Sequence, residues 1–304
     1  MQSVVYASLF DYPLTLEQLH RSLIGVRADR ETIAAWWRSS NLLEATVEYR
    51  DGWFFPAGRA DVIATRARRE RVSRQLLDRD RRTLSMLSRI PFVRMVALSG
   101  SLAHLNAEGS ADLDLFMITA PNRVWSVTVV ILVLSRLMGW RRHLCLNYVV
   151  SERRMKIVPE DLFTANQIIH LKPMFGARVF DRFVKANGFV RVHYPNFERP
   201  AAAGVERRAS IAERLLSLGV AQLSERVARR LYGWHLGKKA ASWQSRDEVR
   251  LETECLKLHT SSHRAATLAR FERAICDALE KQHDDTKRRS ITIQMPVPLS
   301  STGI

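Results

Sequence analysis

Cysteine is scarce in this sequence. Cys145, Cys255 and Cys276 are the three present, far apart and with no CxxC pair. That spacing argues against a zinc site and a disulfide framework, and it fits a reducing compartment, so a cytoplasmic location is expected. Long apolar runs are scarce too. The opening residues, MQSVVYASLFDYPLTLEQ, have neither a basic n-region nor a long apolar core, so no signal peptide is expected. The most apolar stretch, residues 124–140, is interrupted by Arg136 before it reaches the roughly 20 apolar residues of a membrane span. It reads as a helix apolar on all sides and buried against a sheet, so no transmembrane segment is expected. Peripheral contact with a membrane surface is the lesser reading of the same stretch. The scarce charge is the acidic one: 31 Asp and Glu face 47 Lys and Arg, a net charge of +16. Such an excess favours polyanionic partners, meaning nucleic acid, nucleotides or acidic membranes, or else marks a generally Arg-rich soluble protein. With 46% hydrophobic residues in 304, the chain can build a sizeable core in about two domains.

No internal repeat is visible, but the pattern changes along the chain. Residues 1–60 read as a winged-helix-like module of three helices and a hairpin. Thr15 with Gln18 forms a candidate capping box, Asp29 caps the third helix, and Asp51-Gly52 is a strong tight-turn pair. The third helix would be the recognition helix of a DNA reader. Its Thr32, Ile33, Ala35, Trp36 and Trp37 leave Arg30 and Arg38 as the main basic side chains, which suits a protein-contact role as well. Residues 61–90 read as an Arg-rich linking helix. Its apolar stripe, from Val62 and Ile63 to Leu84 and Leu87, is crowded by Arg66, Arg68, Arg69, Arg71, Arg74, Arg79, Arg81 and Arg82. The run is either a solvated face or a phosphate-tracking one.

Residues 91–200 read as an α/β (α+β) domain with a mixed sheet and flanking helices. Strands are expected at FVRMVALSG, DLDLFMIT and LCLNYVVS, helices at EDLFTANQIIHLKPMFG and ARVFDRFVKANG, and an extended segment at VRVHYPNF. Residues 201–283 read as a helical C-terminal region, and 284–304 as a disordered tail, Pro/Ser-rich at its end.

The chemistry concentrates in LSGSLAHLNAEGSADLDLF. Residues two apart on a strand share a face, so Asp112 and Asp114 would project together, opposite Leu113 and Leu115. Paired carboxylates repel unless a cation sits between them, and hard oxygen donors at that spacing suit Mg²⁺ (or Mn²⁺) completed by substrate phosphates. Gly100 lets the backbone approach a phosphate, and Ser101 offers a hydroxyl and an N–H. Together these residues describe a metal–phosphate site.

The segment GSLAHLNAEGSADLDLF resembles the signature of the nucleotidyltransferase-fold superfamily, which includes DNA polymerase beta, poly(A) polymerases and antibiotic nucleotidyltransferases. The whole chain, through LCLNYVVSE, FTANQI and ANGFVRVHYPN, is also similar to bacterial nucleotidyltransferase-domain proteins of uncharacterised activity. The resemblance implies a nucleotidyltransferase-fold sheet. It assigns the triphosphate of an NTP to Gly100 and Ser101, the metals to Asp112 and Asp114, and the reaction to NMP transfer onto an acceptor hydroxyl. The basic composition favours a nucleic-acid acceptor. The chain departs from the family pattern at one point. Active members place a third carboxylate on the next strand, where this chain has Asn147; Glu152, at that strand's end, is the alternative. A fold that binds nucleotide or nucleic acid without turnover is therefore the competing reading. Lys172 and Arg178 are candidate phosphate contacts, Ser99 and Ser101 have no His-Asp partners for hydrolysis, and His259 and His263 are four apart on an expected helix without a carboxylate partner.

Overall fold

A computed structural model describes residues 1–198, 213, 220–259 and 262–293, with side chains described to residue 280. The N-terminal elements are α1 (Gln2–Ser8), α2 (Leu16–Arg21), α3 (Arg30–Ser39), α4 (Asn41–Thr46), β1 (Val47–Arg50) and β2 (Trp53–Pro56). Local sequence sets most of their boundaries. Both halves of the capping box form at α2: Gln18 N–H donates to Thr15 Oγ1 and Thr15 N–H to Gln18 Oε1. Asp29 accepts from the Thr32 N–H to start α3. Asp51 and Gly52 both have positive φ, 52° and 87°, as a twist-matched two-residue hairpin turn requires. Leu14 bridges to Phe54, adding a short strand position between α1 and α2. The unexpected element is α4, capped by Ser40. Val4, Leu14, Leu19, Ile33, Val47 and Phe54 form this module's own core.

Where one linking helix was expected, α5 (Asp61–Arg79) and α6 (Arg81–Leu87) part at Asp80, whose ψ of 6° leaves the helical range. Next come β3 (Val93–Leu98), α7 (Gly100–Ala103), β4 (Leu113–Thr119), α8 (Val124–Leu137), β5 (Leu144–Ser151), α9 (Leu162–His170), β6 (Lys172–Phe175), α10 (Ala177–Ala186) and α11 (Val190–His193). The chain continues with α12 (Val220–Lys239), β7 (Val249–Glu252), β8 (Cys255–Leu258) and α13 (Arg264–Ile293).

Six strands make one mixed sheet in the order β6-β3-β4-β5-β8-β7. Only β4 and β5 are parallel, and α8 is the crossover between them. Alternation along β3 and β4 divides the core. Val96, Leu98, Leu113, Leu115 and Met117 pack with α6, α8 and α12, while Met95, Ala97, Phe116 and Ile118 pack with α9 and α10.

Several expectations are corrected. Residues 172–175 are a strand rather than helix, because Pro173 holds Lys172 extended. Residues 190–193 form a helical turn where extended chain was expected. The C-terminal region is not wholly helical: β7 and β8 form a hairpin that completes the sheet. The expected tail is α13 as far as Ile293, and 294–304 lie outside the described residues. Helix α8 buries one side only, leaving Val133 52% and Leu137 75% exposed. No helix among the described residues is long and apolar enough to cross a membrane.

Gly176 joins β6 to α10 at φ 79°, and a Cβ there would lie 2.2 Å from the Arg94 carbonyl oxygen and 2.9 Å from Met95 Cα. Backbone cannot yield as a flexible side chain can. Gly176→Ala is expected to lower stability by roughly 2–3 kcal/mol in urea denaturation. A midpoint equal to wild type would show that this approach is looser than the geometry states.

Candidate active site

The alternation of β4 places Asp114 on the same face as Phe116 and Ile118, under α9. The strand begins at Leu113, so Asp112 lies just before it and is exposed, whereas Asp114 is half-buried. Asp112 still acts on Asp114, since its negative charge is one of the influences that raise the Asp114 pKa.

Three features position Asp114. First, the Ser99 N–H donates to the Asp114 carbonyl at 2.9 Å, fixing the end of β3 against β4. Second, the chain turns at Gly100 with φ 62°, and a Cβ there would lie 2.4 Å from Asp114 Oδ2. Glycine is therefore required both by the dihedral and by the carboxylate packed against it. Third, the β4–β5 register shifts after the Leu115–Leu146 pair, so that Phe116 faces Tyr148 and Asn147 is the extra residue of a bulge. That bulge turns Asn147 toward Asp114, and its Nδ2 donates to Asp114 Oδ1 at 2.7 Å.

Cys145, not singled out in the sequence, completes the chain of contacts by donating from Sγ to Asn147 Oδ1 at 2.8 Å. Burial and the Asp114 charge push its thiol up to about 11, so it is a donor. A thiol on one side and a carboxylate on the other fix the amide orientation. Burial pushes Asp114 itself up to about 6; the Asn147 hydrogen bond opposes this and the Asp112 charge adds to it.

Glu152 does not supply the missing carboxylate. It lies past the far end of β5, bonded to Arg182 and 3.6 Å from Arg94. Lys172 is exposed and stands opposite Leu98 in the β3–β6 register, which is not the face of Asp114, and Arg178 is in α10.

A cavity of about 550 Å³ opens over this arrangement. Gly100, Ser101, Asp114 and Asn147 line one wall, and Tyr6, Ala7, Phe10 and Tyr12 of the N-terminal module line another. Asn166 and His170 of α9 contribute, as do His259 and His263. These last two do not share a helix: His259 follows β8 and His263 precedes α13. His104 and His170 stack with ring centroids 4.1 Å apart. Burial holds His104 well below its ordinary pKa and lowers His170 and His259 to about 4, so all three are neutral near pH 7. The His170 Nδ1 lies 2.9 Å from the Asn166 carbonyl oxygen, an acceptor, which places the ring's proton on Nδ1.

The Arg-rich run is partly internal. Arg66 is buried, stacks 4.2 Å from the Tyr12 ring centroid and donates to the carbonyls of His104 and Leu105. Arg69 donates to the Phe10 carbonyl and Glu108. Arg74 pairs with Glu70 and Arg79 with Asp80. Arg66 and Arg69 thus tie the N-terminal module to the loop after α7. Arg68, Arg71, Arg81 and Arg82 remain exposed.

Among the described residues no group of three or more His, Cys, Asp or Glu is arranged to hold a metal. The expected pair and the amide are nevertheless hard oxygen donors of the kind Mg²⁺ prefers. Asp114 Oδ1 accepts from Asn147 Nδ2 and Asn147 Oδ1 accepts from Cys145 Sγ, leaving Asp114 Oδ2 and the Asp112 carboxylate. Two carboxylates offer donors for one divalent cation and too few for two. No protein-family model, curated protein or solved structure matches the chain.

Proposed function

We propose that the chain is a Mg²⁺- or Mn²⁺-dependent nucleotidyltransferase of the DNA polymerase beta-like fold, moving NMP from an NTP to an acceptor hydroxyl. The observation that carries this reading is Gly100: a glycine turn of positive φ closed directly against the Asp114 carboxylate. A chance Asp-rich strand has no need of that approach, whereas a site that seats phosphate beside a metal-binding carboxylate does.

In this reading the Gly100–Ser101 turn holds the NTP phosphates. Asp112 and Asp114 would hold one cation, which would supply charge neutralisation for the phosphates. The acceptor oxygen bonds to the α-phosphorus as the bond to the α–β bridging oxygen breaks, and pyrophosphate leaves with that electron pair. The hydroxyl proton is given up to water, since burial, His170 and Arg66 all disfavour a protonated His104.

Incubation with α-³²P-labelled NTPs, Mg²⁺ or Mn²⁺, and a pool of RNA, DNA and cell extract tests this. Covalent label is expected with the wild type and reduced about a hundredfold or more in Asp112→Asn, whose exposed side chain bears little on folding. Equal labelling by the variant would sink the assignment. NTP binding without transfer would favour a nucleotide-binding regulator, the reading motivated by Asn147 standing on Asp114 in place of a third carboxylate.

A further inference from the structure

The cavity differs in kind from the protein's surface. The chain carries +16, yet the described residues lining the cavity include no Lys or Arg, and Asp114 is their only carboxylate. Behind the wall Arg66 is buried, with Nη1 donating to the His104 and Leu105 carbonyls and Nη2 3.7 Å from Glu70. Beyond a cation at Asp114, a phosphate backbone entering here would meet none of the Lys and Arg side chains by which nucleic acid is ordinarily held. The lining instead offers rings, hydroxyls and amides: Tyr6, Tyr12 and Phe163, Ser101 and Asn166, with His170 neutral.

Two polar atoms in these walls also lack partners. The Tyr6 hydroxyl, on a residue only 3% exposed, and Asn106 Oδ1 are buried without a hydrogen bond among the described residues. The Asn106 amide nitrogen is already committed to the Phe10 carbonyl at 2.9 Å. Buried unpaired polar atoms are costly, and here they are a potential donor from the module and an acceptor beside α7, both on residues of one cavity.

Resting on the transfer reading above, we infer that this cavity is the acceptor site, and that the acceptor is a small, uncharged, hydroxyl-bearing molecule rather than a nucleic-acid end. Its hydroxyls and ring face suit the lining, and a volume of about 550 Å³ holds a small molecule. The NTP phosphates then enter along the wall of Gly100, Ser101 and Asp114, and the acceptor occupies the opposite wall of Tyr6, Tyr12 and Asn166. The N-terminal module then acts as one wall of a binding pocket.

Binding alone tests the inference. The probes are a panel of uncharged sugars, glycosides and nucleosides, a random-sequence oligonucleotide, and ATP with Mg²⁺, each read by thermal shift and calorimetry. Two variants accompany the wild type: Ala7→Phe, which fills the cavity from α1, and Tyr6→Phe, which removes only the unpaired hydroxyl. A member of the uncharged panel is expected to stabilise the wild type. Its affinity should fall about five- to tenfold in Tyr6→Phe, and further in Ala7→Phe, while ATP binding stays within about twofold in both. Because the lost hydroxyl had no partner, the unliganded Tyr6→Phe protein should melt no lower than wild type. Silence of the whole uncharged panel overturns the inference. So does oligonucleotide binding that Ala7→Phe leaves intact, or loss of ATP binding in Ala7→Phe, which would make the cavity the nucleoside's own. Panel binding with no NMP transfer would instead sink the transferase reading and leave the ligand class standing.

Discussion

Asp114→Asn is expected to reduce NMP transfer roughly a thousandfold while making the folded chain more stable above pH 6. The two effects have one cause. Burial raises the Asp114 pKa from 3.8 to about 6 in the folded chain. Below pH 3.8 the group is protonated whether the chain is folded or not, and costs nothing. Between 3.8 and 6 the unfolded chain ionises it and the folded chain does not, so stability falls as pH rises. Above 6 the full penalty is present, about 3 kcal/mol for a shift of this size. Asparagine keeps an oxygen for the Asn147 donor without the charge, and should recover about 1–3 kcal/mol of it at pH 8. Urea denaturation with EDTA at pH 4 and pH 8 measures this. Mg²⁺ should then stabilise the wild type and leave the variant unmoved. A variant less stable than wild type at pH 8 would show that Asp114 is held by interactions favouring its charge, contrary to the geometry.

Gly100→Ala is expected to cut transfer by at least about a hundredfold and to lower stability by about 2 kcal/mol. The methyl group would displace the Asp114 carboxylate and also occupy a left-handed dihedral. Its stability cost should be non-additive with Asp114→Ala, since removing the carboxylate removes the clash and leaves only the dihedral strain. Strict additivity in the double mutant would mean that glycine is there for the turn alone. Gly176→Ala is the contrasting case, because its clash is with backbone and should cost stability without touching the transfer rate of the folded fraction.

The elements legible in the sequence were those whose information is local. The Thr15–Gln18 box, the Asp29 cap, the Asp51-Gly52 turn and the three consecutive strands β3, β4 and β5 are each specified by a few adjacent residues. Gly100 and Asp114 each stood out as residues, but their close approach was not legible, because it depends on the pairing of β3 with β4. The hairpin of β7 and β8 was not, because two four-residue strands between long helical patterns carry too little periodicity to stand out. Asn147 was visible as a residue, but its turn toward Asp114 depends on a bulge in the register with another strand. Cys145 gave no signal because its role is to orient an amide. The cavity was the least legible feature. Tyr6, His104, His170 and His259 come from four distant segments, and their neutrality is a product of burial rather than residue type.

The order of strands also has a consequence for biogenesis. On a ribosome, β3, β4 and β5 emerge together, but the partner of β5 does not arrive until the chain from Ser151 to Cys255 has been made. Until then Tyr148, Val149 and Val150 present an apolar edge with unpaired backbone groups, the kind of edge that recruits strands from other nascent chains. A messenger truncated before codon 249 would therefore yield a chain that keeps every residue of the Gly100–Asp114 turn and still accumulates as aggregate, held in solution only by chaperones.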